Sequence, residues 1–253
     1  MRARYVLWSA LLVLGAVLGA PEADAAAEIH RFNLVLSSIP TEIKGGGAND
    51  VINDFNRTQL RPRGLESLDE MTLALLHTAE LRYFVRPNVA VSMGVGQLRS
   101  QTKREFLPAL GQSIQLRAEF LSAPVYAGAA YYLAPYTQGD FQARAYLGGG
   151  FVSQVYNKAV FQQTESGTDG TTTLGGNFLQ IGTRDAPGYY VEAGAHMWFP
   201  LRYSVMLSVV YRGGEVRDLL DQTTHEPLFD PEGRPLTLDL GGIGGRMGIS
   251  IGL

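Results

Sequence analysis

The chain has 253 residues, 45% of them hydrophobic, and a formal net charge of −3. That length holds one sizeable domain or two small ones, and so balanced a charge, with no basic stripe, excludes a nucleic-acid binder. Cysteine is absent, which removes disulfides, thiolate metal sites, a cysteine nucleophile and a lipid-modified N-terminal cysteine.

Arg2 and Arg4 precede a continuous apolar run from Tyr5 to Ala20 and a small-residue exit, Ala23-Asp24-Ala25-Ala26-Ala27. This is the pattern of a secretory leader, predicted over residues 1–25 with cleavage after Ala25 or Ala27. No later stretch approaches the ~20 apolar residues that a membrane helix needs. The exported chain is then residues 28–253, read as one domain without a second unit or an internal repeat.

From there period two dominates, and it predicts eight strands. They run over Glu28–Ser37, Met71–Phe84, Asn88–Arg99, Ser113–Leu133, Phe141–Tyr156, Tyr189–Phe199, Tyr203–Arg212 and Leu236–Leu253. Pro124 predicts an irregularity in the fourth, because proline donates nothing to a ladder. A phase slip at Gly241-Gly242 predicts a glycine bulge in the eighth. Connections alternate between short ones (Val85-Arg86-Pro87, Ala134 to Asp140, Pro200-Leu201-Arg202) and long polar ones such as GGGANDVINDFNRT, SGTDGTTTLGG and HEPLFDPEGRP. The third long loop, about Phe161–Gly188, either adds a hairpin above the barrel or raises the strand count to ten. The expected fold class is all-β: an eight-stranded antiparallel up-and-down transmembrane β-barrel with short periplasmic turns and long extracellular loops.

Alternation alone fits a soluble barrel as well, with its apolar face inward. Three features favour the inverted arrangement. The polar face is built from Gly, Ala, Ser, Thr and Gln with isolated charges, and the three lysines (Lys44, Lys103, Lys158) sit at long loops or strand tips. Aromatics gather beside the short turns (Tyr83, Phe84, Tyr131, Tyr132, Phe141, Trp198, Phe199, Tyr203), with a weaker set near the long loops (Phe120, Tyr156, Tyr189, Tyr211), as interfacial girdles do. The last strand carries Met247, Ile249, Ile251 and Leu253 on one face.

Segments such as YLGGGF, GYYVEAGAHMWF, SVMLSVVYRGG and the terminal GRMGISIGL resemble the outer-membrane β-barrel superfamily, the small OmpA/OmpX/OmpW-type barrels in particular. The resemblance implies an outer-membrane location, contact with outer-membrane lipid and lipopolysaccharide, and insertion by the barrel-assembly machinery. That family usually ends in an aromatic residue, whereas this chain ends in Leu253, which weakens the assembly signal.

With the apolar phase outward, Arg31, Glu80, Arg82, Arg144, Glu192, His196 and Arg246 are expected in the lumen at low to middle depth. Arg117, Glu119, Arg212 and Asp239 are expected there higher up. Charges in a narrow interior pair with one another, and adjacent strands suggest Glu80 with Arg31 and Glu192 with Arg144. The network acts either as a structural plug or as the gate of a narrow pore. His77 faces lipid by phase, which implies a local bulge or an interfacial depth. Scattered histidines and isolated loop acids (Asp50, Asp54, Asp230, Glu232) give no metal site, and neither a cofactor nor a catalytic Ser/His/acid set is expected. The leading expectation is a non-enzymatic envelope barrel acting in surface interaction through its long loops, or a narrow pore. The alternatives are an OmpW-like passage for small hydrophobic molecules, for which four upper charges make the lumen too polar, and a lipid-modifying barrel enzyme.

Overall fold

The computed structural model describes residues 30–109, 112–167, 170–174, 180–199 and 202–253; the expected leader lies outside them. Eight strands form the barrel: β1 Phe32–Glu42, β2 Leu73–Arg86, β3 Val89–Ala109, β4 Gln112–Tyr132, β5 Phe141–Gly167, β6 Ala186–Trp198, β7 Tyr203–Val216 and β8 Gly242–Gly252. Each pairs antiparallel with the next, and β8 closes on β1, with Leu34 opposite Ile251 and Ser37 opposite Gly248. The all-β fold is the eight-stranded up-and-down barrel that period two predicts.

The barrel is inside out. Met93, Ile249 and Met247 are 64%, 58% and 66% exposed on the outer wall, while Glu80, Arg82 and His196 are at most 1% exposed within. Water would not tolerate that outer wall over so many strands, and lipid would. Phe32, Phe199 and Tyr203 stand out at the short-turn end, and Tyr156, Tyr189 and Tyr211 at the other. The barrel is of the outer-membrane kind. Phe84, Tyr132 and Phe120, counted with the girdles by their place along the strands, instead point inward and are buried.

Several boundaries differ from the sequence reading. β1 starts later and runs through Pro40 to Glu42. β3 and β5 outlast the hydrophobic pattern by about ten residues each, standing above the lipid as a sheet with β4. In β5 the pattern stops where the register shifts, between Ala123 and Pro124 of β4. The extra residue lies on β5: Val155 and Tyr156 are both exposed, Gln154 and Asn157 both buried. The inward parity of β5 thus changes from even to odd there, while β4 keeps its own parity throughout. The third long loop folds as a hairpin on β5, with Gly170–Leu174 and Gln180–Thr183 paired to it, so the barrel keeps eight strands. At the phase slip, a short strand at Leu238–Asp239 pairs with Glu215 and Val216 before β8 begins. The Asp239 carboxylate accepts a hydrogen bond from Gly241 N at 2.8 Å across the break.

The first long loop is not irregular. Ala48, Val51, Ile52 and Phe55 recur at helical spacing, and Gly47–Phe55 forms a helix, α1, with those residues buried. Gly46, at φ +57°, turns the chain into it. A π-helical turn and a 3-10 turn follow, ending at left-handed Gly64. Two asparagines fasten this segment to its return path. Asn49 exchanges hydrogen bonds with both backbone groups of Met71, and Asn56 does the same with Leu68, at 2.8–3.2 Å.

Candidate functional site: a lumen closed at three levels

At the short-turn end the lumen has an aromatic floor. Phe84, Tyr132, Tyr146 and Trp198 pack with Val35 and Met206. The rings interlock, Phe84 and Tyr146 lying 5.1 and 5.2 Å from Tyr132 by centroid.

Above the floor lies a closed ring of four charges. Arg82 meets Glu80 at 2.6 Å and Glu192 at 3.2 Å; Arg246 meets Glu192 at 3.0 Å and Glu80 at 2.8 Å. Two carboxylates and two guanidiniums cancel, and each carboxylate accepts from both arginines. Further bonds satisfy the remaining groups. Arg82 donates to Tyr132 Oη (2.6 Å), Arg246 to Ser37 Oγ (3.0 Å), Tyr126 Oη to Glu80 (3.3 Å), and Ser37 bonds Thr78 (2.6 Å). Burying ions is tolerable only with such full compensation. His196 extends the network: its Nε2 lies 2.7 Å from Ser204 Oγ, its Nδ1 3.3 Å from Tyr132 Oη, and its ring stacks on Trp198 at 3.8 Å.

The pairings expected from strand order are corrected by the register. Glu192 stands opposite Gly148, whose missing side chain leaves it room; Arg144 stands opposite His196, four residues lower. Arg144 instead donates to Pro87 O at 2.6 Å in the β2–β3 turn. Opposite Glu80 on β1 is Val35, not Arg31, which is exposed before the strand begins.

Above the ring the interior turns apolar. Leu76, Leu98, Leu116, Phe120, Phe161 and Val210 line it, and α1 fills its mouth with Val51, Ile52 and Phe55. Arg212 is inside, donating to Thr41 Oγ1 at 3.1 Å. Arg117 and Glu119 are not: β4 keeps its parity past Pro124, so they pair with each other on the outer wall while Leu116 and Ala118 face in. Asp239 sits at the rim, 3.6 Å from Lys44. The upper lumen is therefore mainly apolar, with Arg212 the one of the four expected charges buried in it. Between ring and cap remains a cavity of about 40 Å³, bordered by Ile39, Tyr126, Tyr190 and Val152. Tyr190 reaches across to Gly128, and Tyr126 to Gly94, where any Cβ would collide with the ring.

The cap is held from both sides. Arg104 of β3 pairs with Glu66 and Asp69 of the first loop. Arg234 of the last loop pairs with Asp50 of α1 at 3.2 Å and with Asp230 at 2.7 Å. Sequence reasoning missed α1, its asparagine clamps and Tyr126. The helical spacing of Ala48, Val51, Ile52 and Phe55 was the available signal for the first. His77 faces outward as its phase implies, but without a bulge, since β2 stays in register with Ser38 and Gln97 on either side. His225 lies exposed in the last loop. Among the described residues no group of three or more His, Asp or Glu comes together as a metal site.

No known family model matches the chain, and no curated protein sequence does. Several solved structures are similar in outline. Neisserial surface protein A is 12% identical, covering 88% of this chain and 97% of its own, with a TM-score of 0.41. Ail of Yersinia pestis, in complex with the heparin analogue sucrose octasulfate, is 14% identical (87% and 96% covered, TM-score 0.37). The outer membrane protein AlkL in DMPC bilayers is 15% identical (92% and 94% covered, TM-score 0.35). These are general likenesses only.

Proposed function

We propose that this chain is a closed, non-enzymatic outer-membrane barrel that acts through its extracellular face. The observation that carries this reading is the triple closure of the lumen by aromatic floor, neutral charge ring and helical cap. An eight-stranded interior is just wide enough for side chains to fill it, and here they do. The extracellular face, by contrast, is an ordered surface. The sheet of β3, β4 and β5 stands above the lipid, the first loop is clamped to it, and the last loop is clamped to α1. Loops fixed on a rigid scaffold are where binding is usually carried. Lipopolysaccharide and extracellular ligands are the partners this surface would meet, and the barrel-assembly machinery the partner in insertion.

Single-channel recording of the purified full chain tests the closure. No conductance steps are expected from wild type or from Glu192→Ala; stepwise currents would replace the plug by a gated pore. Labelled lipid A and phospholipid test the non-enzymatic part: no acyl release is expected, and turnover would overturn it. Passage of small hydrophobic molecules gains support from the apolar upper lumen, but it requires α1 to leave the mouth. Uptake of a labelled alkane that survives cross-linking of α1 to β3 would exclude that route.

A further inference from the structure

Among the described residues four arginines are buried: Arg82, Arg144, Arg212 and Arg246. Arg82 and Arg246 belong to the ring, where two carboxylates balance them. Arg144 holds Pro87 O at the short-turn end, and its Nε and Nη2 are sealed in packed protein. Arg212 differs from all three. It is 6% exposed and, among the described residues, joins no ion pair; its one hydrogen bond runs from Nη2 to Thr41 Oγ1. Its Nε and Nη1 are not among the sealed donors and open on free space. A guanidinium does not lose its proton inside a protein, and a charge buried without an opposite one is costly.

That space is the cavity between ring and cap. Arg212 is the register partner of Tyr190, and Val210 that of Glu192, so Arg212 stands one inward step, about 7 Å, above the ring. It borders the cavity from above, while Glu192 and Arg246 border it from below. The other walls are apolar apart from Thr78 and two tyrosines. Glu192, the one acid on the wall, has both oxygens taken, Oε1 by Arg82 and Oε2 by Arg246. The wall therefore carries two guanidiniums and one carboxylate, an excess of one positive charge. Asp239, the acid at the rim, is engaged by Lys44 and by Gly241 N.

We propose that this cavity is the seat of one small monoanion, a chloride ion, which Arg212 binds through Nε and Nη1 and which neutralises the upper lumen. Charge decides the kind of occupant. Water can solvate the guanidinium but cannot cancel it, and one excess positive charge matches a monoanion. A sulfate or phosphate dianion would leave a second charge uncompensated. Space decides the size. A cavity of about 40 Å³ has room for about three water-sized occupants, enough for a chloride and a water. It is too small for a carboxylate with an alkyl tail while α1 fills the mouth. The proposal rests on the closed lumen and is independent of what the extracellular face binds. Its test reads a bound ion, so that ion binding and closure to conductance fail separately.

Crystals of the full chain soaked in sodium bromide test it, bromide standing in for chloride with an anomalous signal. A peak is expected beneath α1, at hydrogen-bond distance from Arg212 Nε and Nη1. Peaks at surface arginines alone, an adventitious ion only, would overturn the proposal. A second measurement compares the temperature at which heat-modifiable gel migration is lost in sodium chloride and in sodium gluconate of equal ionic strength, gluconate being too large for the cavity. Wild type should hold its fold at least about 3 °C higher in chloride. Arg212→Met, similar in length but uncharged, should show no difference between the two salts. An equal chloride advantage in wild type and variant would place the ion elsewhere and sink the proposal. Should Arg212→Met fail to fold, the bromide map of wild type decides alone.

Discussion

The lower and upper halves of the lumen are closed by opposite means. Below, a ring of buried charges from three strands is fixed by hydrogen bonds with Ser37 and two tyrosines. Above, an apolar helix is laid into an apolar mouth. The lower closure is directional: each partner has one place, and removing one leaves another charge stranded. The upper closure is a packing contact, held by side-chain volume and by two asparagine clamps. The comparison teaches that the barrel wall is common to both halves, while their resistance to opening differs in kind. The lower half should fail all at once, and the upper half piece by piece.

The largest expected effect comes from breaking the ring. Glu192→Ala leaves Arg82 and Arg246 with one carboxylate between them and should destabilise the barrel by about 4 kcal/mol. Urea unfolding in bilayers measures it, and a loss below about 1 kcal/mol would mean the four charges do not act as a unit. Next, Ile52→Ala should cost about 3 kcal/mol of cap docking. Its sign is lost amide-exchange protection in α1 with β2 and β8 unchanged; loss of protection in both would remove the distinction between the halves. Asn56→Ala strands the backbone of Leu68 and should cost about 2 kcal/mol, again confined to the cap. Arg104→Ala, which removes a half-exposed tether to Glu66 and Asp69, should cost under about 1 kcal/mol and weaken further in salt.

The smallest effect is a pH dependence of the last loop. Burial alone would raise the Asp230 carboxyl, but hydrogen bonds from Arg234 N, from the Arg234 side chain and from Glu232 N hold it below the ordinary value. A carboxyl depressed in the folded state stabilises above its unfolded pKa, and that stability is lost as pH falls through the folded one. Protection of the Glu232 and Arg234 amides should stay constant at neutral pH and fade only well into acid. Fading near pH 6 would require another group.

How much of this the sequence discloses depends on periodicity. Period two places the eight strands, and the inward side of most, because each step reverses the face. It does not supply register. That is why Glu192 was matched with Arg144 on the adjacent strand, when the pairing places Gly148 across from it. Strand ends above the lipid were lost because there both faces are polar or mixed, as at Arg99, Gln101 and Lys103, and alternation disappears while the ladder continues. Assigning Arg117 and Glu119 to the lumen came from placing the irregularity at Pro124 on the wrong strand. The helix was legible in Ala48, Val51, Ile52 and Phe55, but the glycines and asparagines around it read as loop.

The displaced pairing at Val155 and Tyr156 behaves like a one-letter insertion in a two-letter code. Below it β5 is written in one frame and above it in the other, and the spacer brings the two messages into agreement. Deleting Val155 should therefore leave every remaining side chain of the strand facing as it does now, and only remove the bend. Deleting a residue on either side of the spacer would invert a stretch of wall, carrying polar groups into lipid and apolar ones into the ring. Along β5, tolerance to shortening should then be a property of a single point.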